Sequence, residues 1–282
     1  MKVIDFFKWN LYTLGMDTLV LERETQTQYA KKVWTSNDVL VIILLNKNFN
    51  FGATRTPYDL TICGKKMWEW TSLAVGNCEV RTTVCTEESD ILTLIKPYLN
   101  NDKKYTVVLY SDTPLFSAKA FDDALSYFAL RQANVLKLKR GYVFDTEYIK
   151  NAESLMAFES TDIGTEQDFF EVSDMSKLYD VTEILRNRIL DYHIANGVII
   201  ENKNTTHIDS DVIIGAGSVI CGNNSLYGQT YVGKNCVIEP NNTIRDSIIS
   251  DNCILKSSYI QGSRLSENLV VGPFESVIDK SN

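Results

Sequence analysis

The sequence predicts two structural classes in series: an α/β layer with a largely parallel sheet, then a left-handed parallel β-helix of hexapeptide repeats. Three observations carry this. Short apolar runs alternate with segments of helical spacing over the first two hundred residues, the pattern of strands and crossover helices. Beyond them, Ile208, Ile214, Ile220, Leu226, Val232, Ile238 and Ile244 stand in strict steps of six. The chain has 282 residues, 44% hydrophobic and 23% charged, an ordinary globular composition with length for two domains.

In the first part, Val39 to Leu45 is aliphatic throughout and reads as a buried strand. Met67 to Ala74 reads as a helix, Glu79 to Val84 as a strand and Glu88 to Leu99 as a second helix. Thr106 to Tyr110 is another buried strand, running into Ser111-Asp112-Thr113-Pro114. Ser117 can cap a helix through Gln132, because Phe121, Ala124, Leu125 and Phe128 recur at helical spacing. Val135 to Leu138 and Tyr142 to Phe144 read as short strands, and Glu147 to Phe158 as a helix. Leu178, Val181, Leu185, Ile189, Tyr192 and His193 fall three or four apart, which makes Leu178 to Ala195 a helix linking the two parts.

A step of six is required by neither a helix of period 3.6 nor a lone strand of period 2. A triangular β-helix does require it, since each face is one hexapeptide and three faces make a coil of about 18 residues. After Ile244 the register slips by single deletions and recovers through Ile249, Leu255, Ile260, Leu265, Val271 and Val277. Gly215, Gly217, Gly222, Gly228, Gly233, Asn223, Asn224, Asn235, Asn241 and Asn242 suit the tight corners. Ser218, Thr230, Cys236, Thr243 and Cys253 are expected to fill the inner corners. About four coils result, and the open end of such a stack needs a cover, from a terminal segment or another subunit. The expected organisation is an unassigned extension over 1–35, an α/β domain over 36–177, a linker helix over 178–195 and the β-helix over 196–282.

Twenty-eight Lys and Arg against 36 Asp and Glu give a net charge of -8, which argues against nucleic-acid and membrane-surface partners. No apolar run approaches the ~20 residues that span a bilayer, and the first residues mix charges into apolar positions, so a cytoplasmic protein is expected. Six cysteines without a C-x-x-C pair, and only two histidines, give no zinc spacing. The cysteines read as small buried hydrophobes. In an open parallel sheet, ligands sit beyond the carboxyl ends of the strands. Asp112 is placed there, either to hold a divalent metal against a phosphate or as a turn aspartate accepting backbone hydrogen bonds.

Several segments together resemble one family. They are Arg186-Asn187-Arg188-Ile189, Asn196-Gly197-Val198, the hexapeptide run, Ile244-Arg245-Asp246-Ser247 and Val271-Gly272-Pro273-Phe274, with Tyr110 to Leu115 and Gly64 to Met67 in the same order upstream. They resemble the bacterial bifunctional N-acetylglucosamine-1-phosphate uridylyltransferase / glucosamine-1-phosphate acetyltransferase (GlmU) family. The resemblance implies a nucleotide-diphospho-sugar-transferase-like (Rossmann-like) first domain, a homotrimer, and a reaction of UTP with a sugar 1-phosphate assisted by Mg2+. It makes Asp112 a metal ligand, with Asp174 beside it where Ser173 replaces the family's asparagine. It gives Arg55, Lys65 and Lys66 the task of screening phosphate charge, while Tyr58 stands at the place of a phosphate-binding lysine. Two functions stay open at this point: a nucleotidyltransferase, or a non-catalytic relative kept as an interaction module. Acetyl-CoA is not expected, because His193 and His207 both precede the coils and read as structural.

Overall fold

A computed structural model of the chain describes residues 34–46, 57–86, 89–100, 102–155, 159–160 and 163–279. Most of the N-terminal extension, and the 47–56 segment that carries Arg55, lie outside the described residues. The chain divides into two compact units between Val181 and Thr182, and Ile62–Lys65 groups with the second.

The first unit is built on a six-stranded sheet. Its strands are β1 (Val39–Asn46), β2 (Glu79–Cys85), β3 (Tyr105–Tyr110), β4 (Val135–Leu138), β5 (Gly141–Asp145) and β6 (Glu159–Ser160), in the order β2-β1-β3-β5-β4-β6. β1 runs parallel to β2 and β3, and β4 parallel to β6. Only β5 is reversed, antiparallel to both β3 and β4. β1 is aliphatic along its length because both of its faces are covered: Val39, Val41 and Ile43 enter one core, and Leu40, Ile42 and Leu44 the other.

Among the described residues five α-helices join the frame: α1 (Met67–Leu73), α2 (Ile91–Ile95), α3 (Ala118–Arg131), α4 (Thr146–Asn151) and α5 (Met175–Ala195), the last crossing the division between units. Ser117 caps α3 by accepting from the Ala120 amide at 3.1 Å, and Gln132 ends it in a left-handed conformation. Two helices are shorter than their spacing predicts, for reasons of local chemistry. α2 starts after Asp90, whose carboxylate accepts from the Thr93 amide at 3.0 Å, and tightens into a 3-10 turn over Lys96–Tyr98 at Pro97. α4 is capped by Asp145 and ends where Ala152 turns extended. α5 begins three residues before Leu178, because the Asp174 carboxylate captures the Lys177 amide at 2.9 Å.

In the second unit the strands form three parallel sheets, each strand pairing with the one a coil away. The first sheet aligns Ile208, Leu226, Ile244, Ile260 and Val277; the second Ile214, Val232, Ile249 and Leu265; the third Ile200, Ile220, Ile238, Leu255 and Val271. This is a run of parallel strands consistent with a β-helix. Ile208, Ile220, Leu226, Val232, Ile238, Ile244, Ile249, Leu255 and Ile260 have no more than 0% exposure, while Val277 at the end of the run is half-buried.

One inner-corner expectation is corrected. Thr243 points outward, and Asn242, one place earlier, is the buried residue. Asn224 and Asn242 therefore serve inside rather than at the turns. Asn224 Oδ1 accepts from the Asn242 amide at 2.8 Å, and Asn242 Oδ1 from the Ser258 amide at 2.8 Å. Their side-chain amides donate to the carbonyls of Ile238 at 3.0 Å and Leu255 at 3.3 Å, so each buried polar group is matched by its neighbouring coil. Ser218, Cys236 and Cys253 do fill inner corners, and all six cysteines are buried thiols.

His193, buried within the second unit, has its pKa pushed down from 6.5 to about 4 by burial. The folded state therefore holds it neutral while the unfolded chain takes a proton below pH 6.5. Stability is expected to fall as pH drops from about 6.5 to about 4, by an amount on the order of 3 kcal/mol. Urea denaturation at pH 7 and pH 4.5 checks this, and the loss should shrink in His193→Phe; an equal loss in that variant would assign the acid sensitivity elsewhere. Among the described residues no helix is long and apolar enough to cross a membrane.

Candidate functional site

Four chain segments meet at the carboxyl ends of β1 and β3: the ends of these two strands, the hairpin after β4 and the stretch before α5. Asn46 closes β1, Tyr110 closes β3, and Asp112 follows in the turn with no solvent exposure. The turn is fixed by its own backbone: Ser111 N–H donates to the Leu44 carbonyl at 3.0 Å, and the Asp112 carbonyl accepts from Val172 N–H at 2.8 Å. Thr113 Oγ1 donates to the Tyr110 carbonyl at 3.0 Å.

The third segment is the tight hairpin between β4 and β5, in which Leu138 pairs with Gly141 across a loop of Lys139 and Arg140. Gly141 has φ +136, and a Cβ there would lie 2.5 Å from the Val108 carbonyl oxygen. Only glycine lets the hairpin approach β3 this closely, and the approach carries Arg140 to Asp112.

Arg140 Nε donates to Asp112 Oδ1 at 2.7 Å and Nη2 donates to Asp112 Oδ2, a bidentate pair. Asn46 Nδ2 donates to the same Oδ2 at 3.0 Å. Nη2 also lies 3.3 Å from Glu171 Oε1, and the guanidinium stacks over the Tyr110 ring at 4.5 Å. Burial works against the charge on Arg140, but the hydrogen bonds and charge of Asp112, with Glu171, outweigh it and hold the guanidinium above its usual pKa. Beside this pair opens a cleft of about 450 Å³ lined by Asn46, Cys85, Tyr110, Arg140, Glu171 and Ser173, among others. Burial pushes the Cys85 thiol up to about 11, aided by Asp112, and the Tyr110 phenol up to about 12. Both are therefore protonated at neutral pH, and Cys85 is a poor nucleophile.

The other sequence candidates are placed differently. Asp174 is exposed and engaged as the α5 cap, with Ser173 Oγ donating to its Oδ2 at 3.2 Å. Lys65 pairs with Asp211 at 2.6 Å within the second unit, and Lys66 with Asp59 at 2.9 Å. The cleft lining includes neither lysine nor Tyr58. Arg55 lies outside the described residues. Arg140 and Glu171 were not legible as site residues; the available signal was a Lys-Arg pair abutting Gly141 in the connection that leads back beside the Asp112 strand.

A divalent ion of the magnesium type needs carboxylate oxygens it can reach. Both oxygens of Asp112 already accept from a permanently charged guanidinium, and Asp174 spends Oδ1 on a helix amide. Among the described residues, no three His, Cys, Asp or Glu side chains come together as a metal site. The residues present do not fit Mg2+.

No protein-family model matches the chain. Among curated proteins, it is 35% identical over 143 residues to the bifunctional protein GlmU of Clostridium kluyveri, covering 48% of this chain and 31% of that one. To the GlmU of Clostridioides difficile it is 30% identical over 199 residues, 70% of this chain and 42% of the relative. To that of Clostridium botulinum it is 35% identical over 156 residues, 55% and 34% of the two. The chain thus spans less than half the length of the curated relatives it matches.

Proposed function

This chain belongs to the GlmU family as a partial, divergent member, and we propose that it is a sugar-phosphate nucleotidyltransferase-like protein that no longer carries out the metal-assisted reaction. Its role on this reading is that of a self-associating interaction or regulatory module. One observation carries the proposal: the bidentate contact of Arg140 with Asp112, the residue that the family resemblance makes a metal ligand. A fixed arginine cannot do the work of a labile cation that bridges phosphate oxygens, because it supplies one charge, already neutralised, and no open coordination position. The substitution of Ser173 and Tyr58 at family positions and the pairing of Lys65 and Lys66 with carboxylates point the same way. Loss of one positioned charge at a transition state lowers a rate about a hundredfold or more.

The proposal extends to the second unit. Its run of strands is read as a left-handed β-helix, and its third sheet presents Ile199, Val219, Val237, Ile254 and Val270 as one outward column, with Ile199 56% and Val270 58% exposed. A row of β-branched aliphatics along a sheet face is a surface that association buries. A homotrimer is proposed on this basis and on the family habit.

The test is pyrophosphate release from UTP and N-acetylglucosamine 1-phosphate with Mg2+, run beside Asp112→Ala. The expected result is no release above that of the variant. Turnover of about 1 to 1000 per second that disappears in Asp112→Ala would overturn the non-catalytic reading. Light scattering on the same preparation should give the mass of three chains, and a single-chain mass across concentrations would remove the trimer.

A further inference from the structure

We propose that Arg140 is a built-in counter-cation, whose Nη2 fills the one point on which the carboxylates of Asp112 and Glu171 converge, and that shortening this side chain turns the point into a divalent-cation site. The proposal rests on the reading of the cleft as metal-independent, but concerns binding and not turnover.

The convergence is geometric. Asp112 Oδ2 and Glu171 Oε1 both contact Nη2, the second at 3.3 Å, although the residues come from separate segments, one after β3 and one before α5. Nε takes the other Asp112 oxygen at 2.7 Å, and Cζ lies over the Tyr110 ring, 4.5 Å from its centroid. The local charge is one cation against two carboxylates. Asp112 has a fully buried side chain, while those of Arg140 and Glu171 are 23% and 41% exposed, so the point opens to solvent on one side. That is the arrangement of an oxygen-ligand site with an entry path, closed by a charge on a covalent tether. Arginine does not deprotonate at physiological pH, so the tethered charge is present under all conditions in which a free cation would compete.

In Arg140→Ser the two carboxylates would face each other across the space the guanidinium leaves. Their repulsion is relieved by protonation or by a hard cation with water completing its shell. Glu171, which no family motif brings into the site, becomes a ligand on this account.

The experiment is titration of the full chain with MnCl2, followed by calorimetry and by the loss of the free Mn2+ electron-resonance signal. Wild type and Arg140→Lys should show no saturable binding in the millimolar range. Arg140→Ser should bind one Mn2+ with a dissociation constant on the order of 10⁻⁴ M, and both Asp112→Asn/Arg140→Ser and Glu171→Gln/Arg140→Ser should weaken it by about tenfold or more. If Arg140→Ser proves too unstable to titrate, MnCl2 should raise its melting temperature and leave that of wild type unmoved. The proposal is overturned by equally tight binding to wild type or Arg140→Lys, by an Arg140→Ser protein that neither binds nor is stabilised by Mn2+, or by binding to Arg140→Ser that is unweakened when either Asp112 or Glu171 is neutralised. Asp112-dependent pyrophosphate release by wild type would remove the non-catalytic reading and this proposal with it, whereas an inactive wild type whose Arg140→Ser variant neither binds nor is stabilised by Mn2+ would remove this proposal alone, so the two failures are distinguishable.

Discussion

Val232→Asp is expected to destabilise the second unit by about 4 to 5 kcal/mol or more, at the upper end of what single substitutions do. Val232 has 0% exposure and lies in register with Ile214 and Ile249, so a carboxylate there faces aliphatic side chains from the coils on either side. The ion cannot reach water and the interior column offers no cation. The cost is set by burial, and a control checks this: Tyr231, one residue earlier on the same strand, is 38% exposed, and Tyr231→Asp should cost less than about 1 kcal/mol. Urea denaturation followed by circular dichroism measures both. A Val232→Asp protein within about 1 kcal/mol of wild type would mean that the residue does not sit in a dry interior.

The six-residue step was legible because the run of parallel strands repeats one local geometry, and each repeat reports it again. The slip after Ile244 is accommodated at the corners. In-register partners are 18 residues apart at Leu226 and Ile244 but 16 apart at Ile244 and Ile260. The shortened turns use Asp246 and Ser257 at positive φ, while the strand pairing continues. The misassignment of Thr243 has a simple origin: where the step is six, the buried corner residue is four places past the aliphatic one, as in Ser218, Asn224, Thr230, Cys236 and Asn242. Where it is five, the residue is three places past, as in Ser247, Ser258 and Ser263. Asparagine signalled a turn by type, but the ladder needed its amide, which can both accept from one coil and donate to the next.

The site was less legible because its key contact joins positions far apart in sequence. Asp112 could be placed at a strand end from local pattern alone. Its partner could not, since Arg140 reaches it through a two-residue hairpin, a reversed strand and a glycine that tolerates contact with the Val108 carbonyl. Lys65 and Lys66 carried the right charge for phosphate, and nothing in the local sequence marks Asp211 and Asp59 as the carboxylates they pair with.

The same contact gives the second large effect. Arg140→Met should cost about 3 to 5 kcal/mol, because it leaves the Asp112 carboxylate at 0% exposure with only the Asn46 amide still donating to its oxygens, of the donors described above. Asp112→Asn should cost less, since Arg140 keeps Glu171 at 3.3 Å and part of its side chain remains in water. The informative quantity is the double variant. If the pair is a coupled unit, Asp112→Asn/Arg140→Met removes the stranded charge and is more stable than Arg140→Met alone, with an interaction energy of about 1 to 3 kcal/mol in the cycle. Additive costs would show that Arg140 stabilises the fold through Tyr110 and Glu171 rather than through Asp112. Chemical denaturation of the four proteins at one pH decides between these. A strongly coupled pair also explains how the arginine could persist: with Asp112 already buried, losing the guanidinium alone costs more stability than a domain of marginal stability readily tolerates.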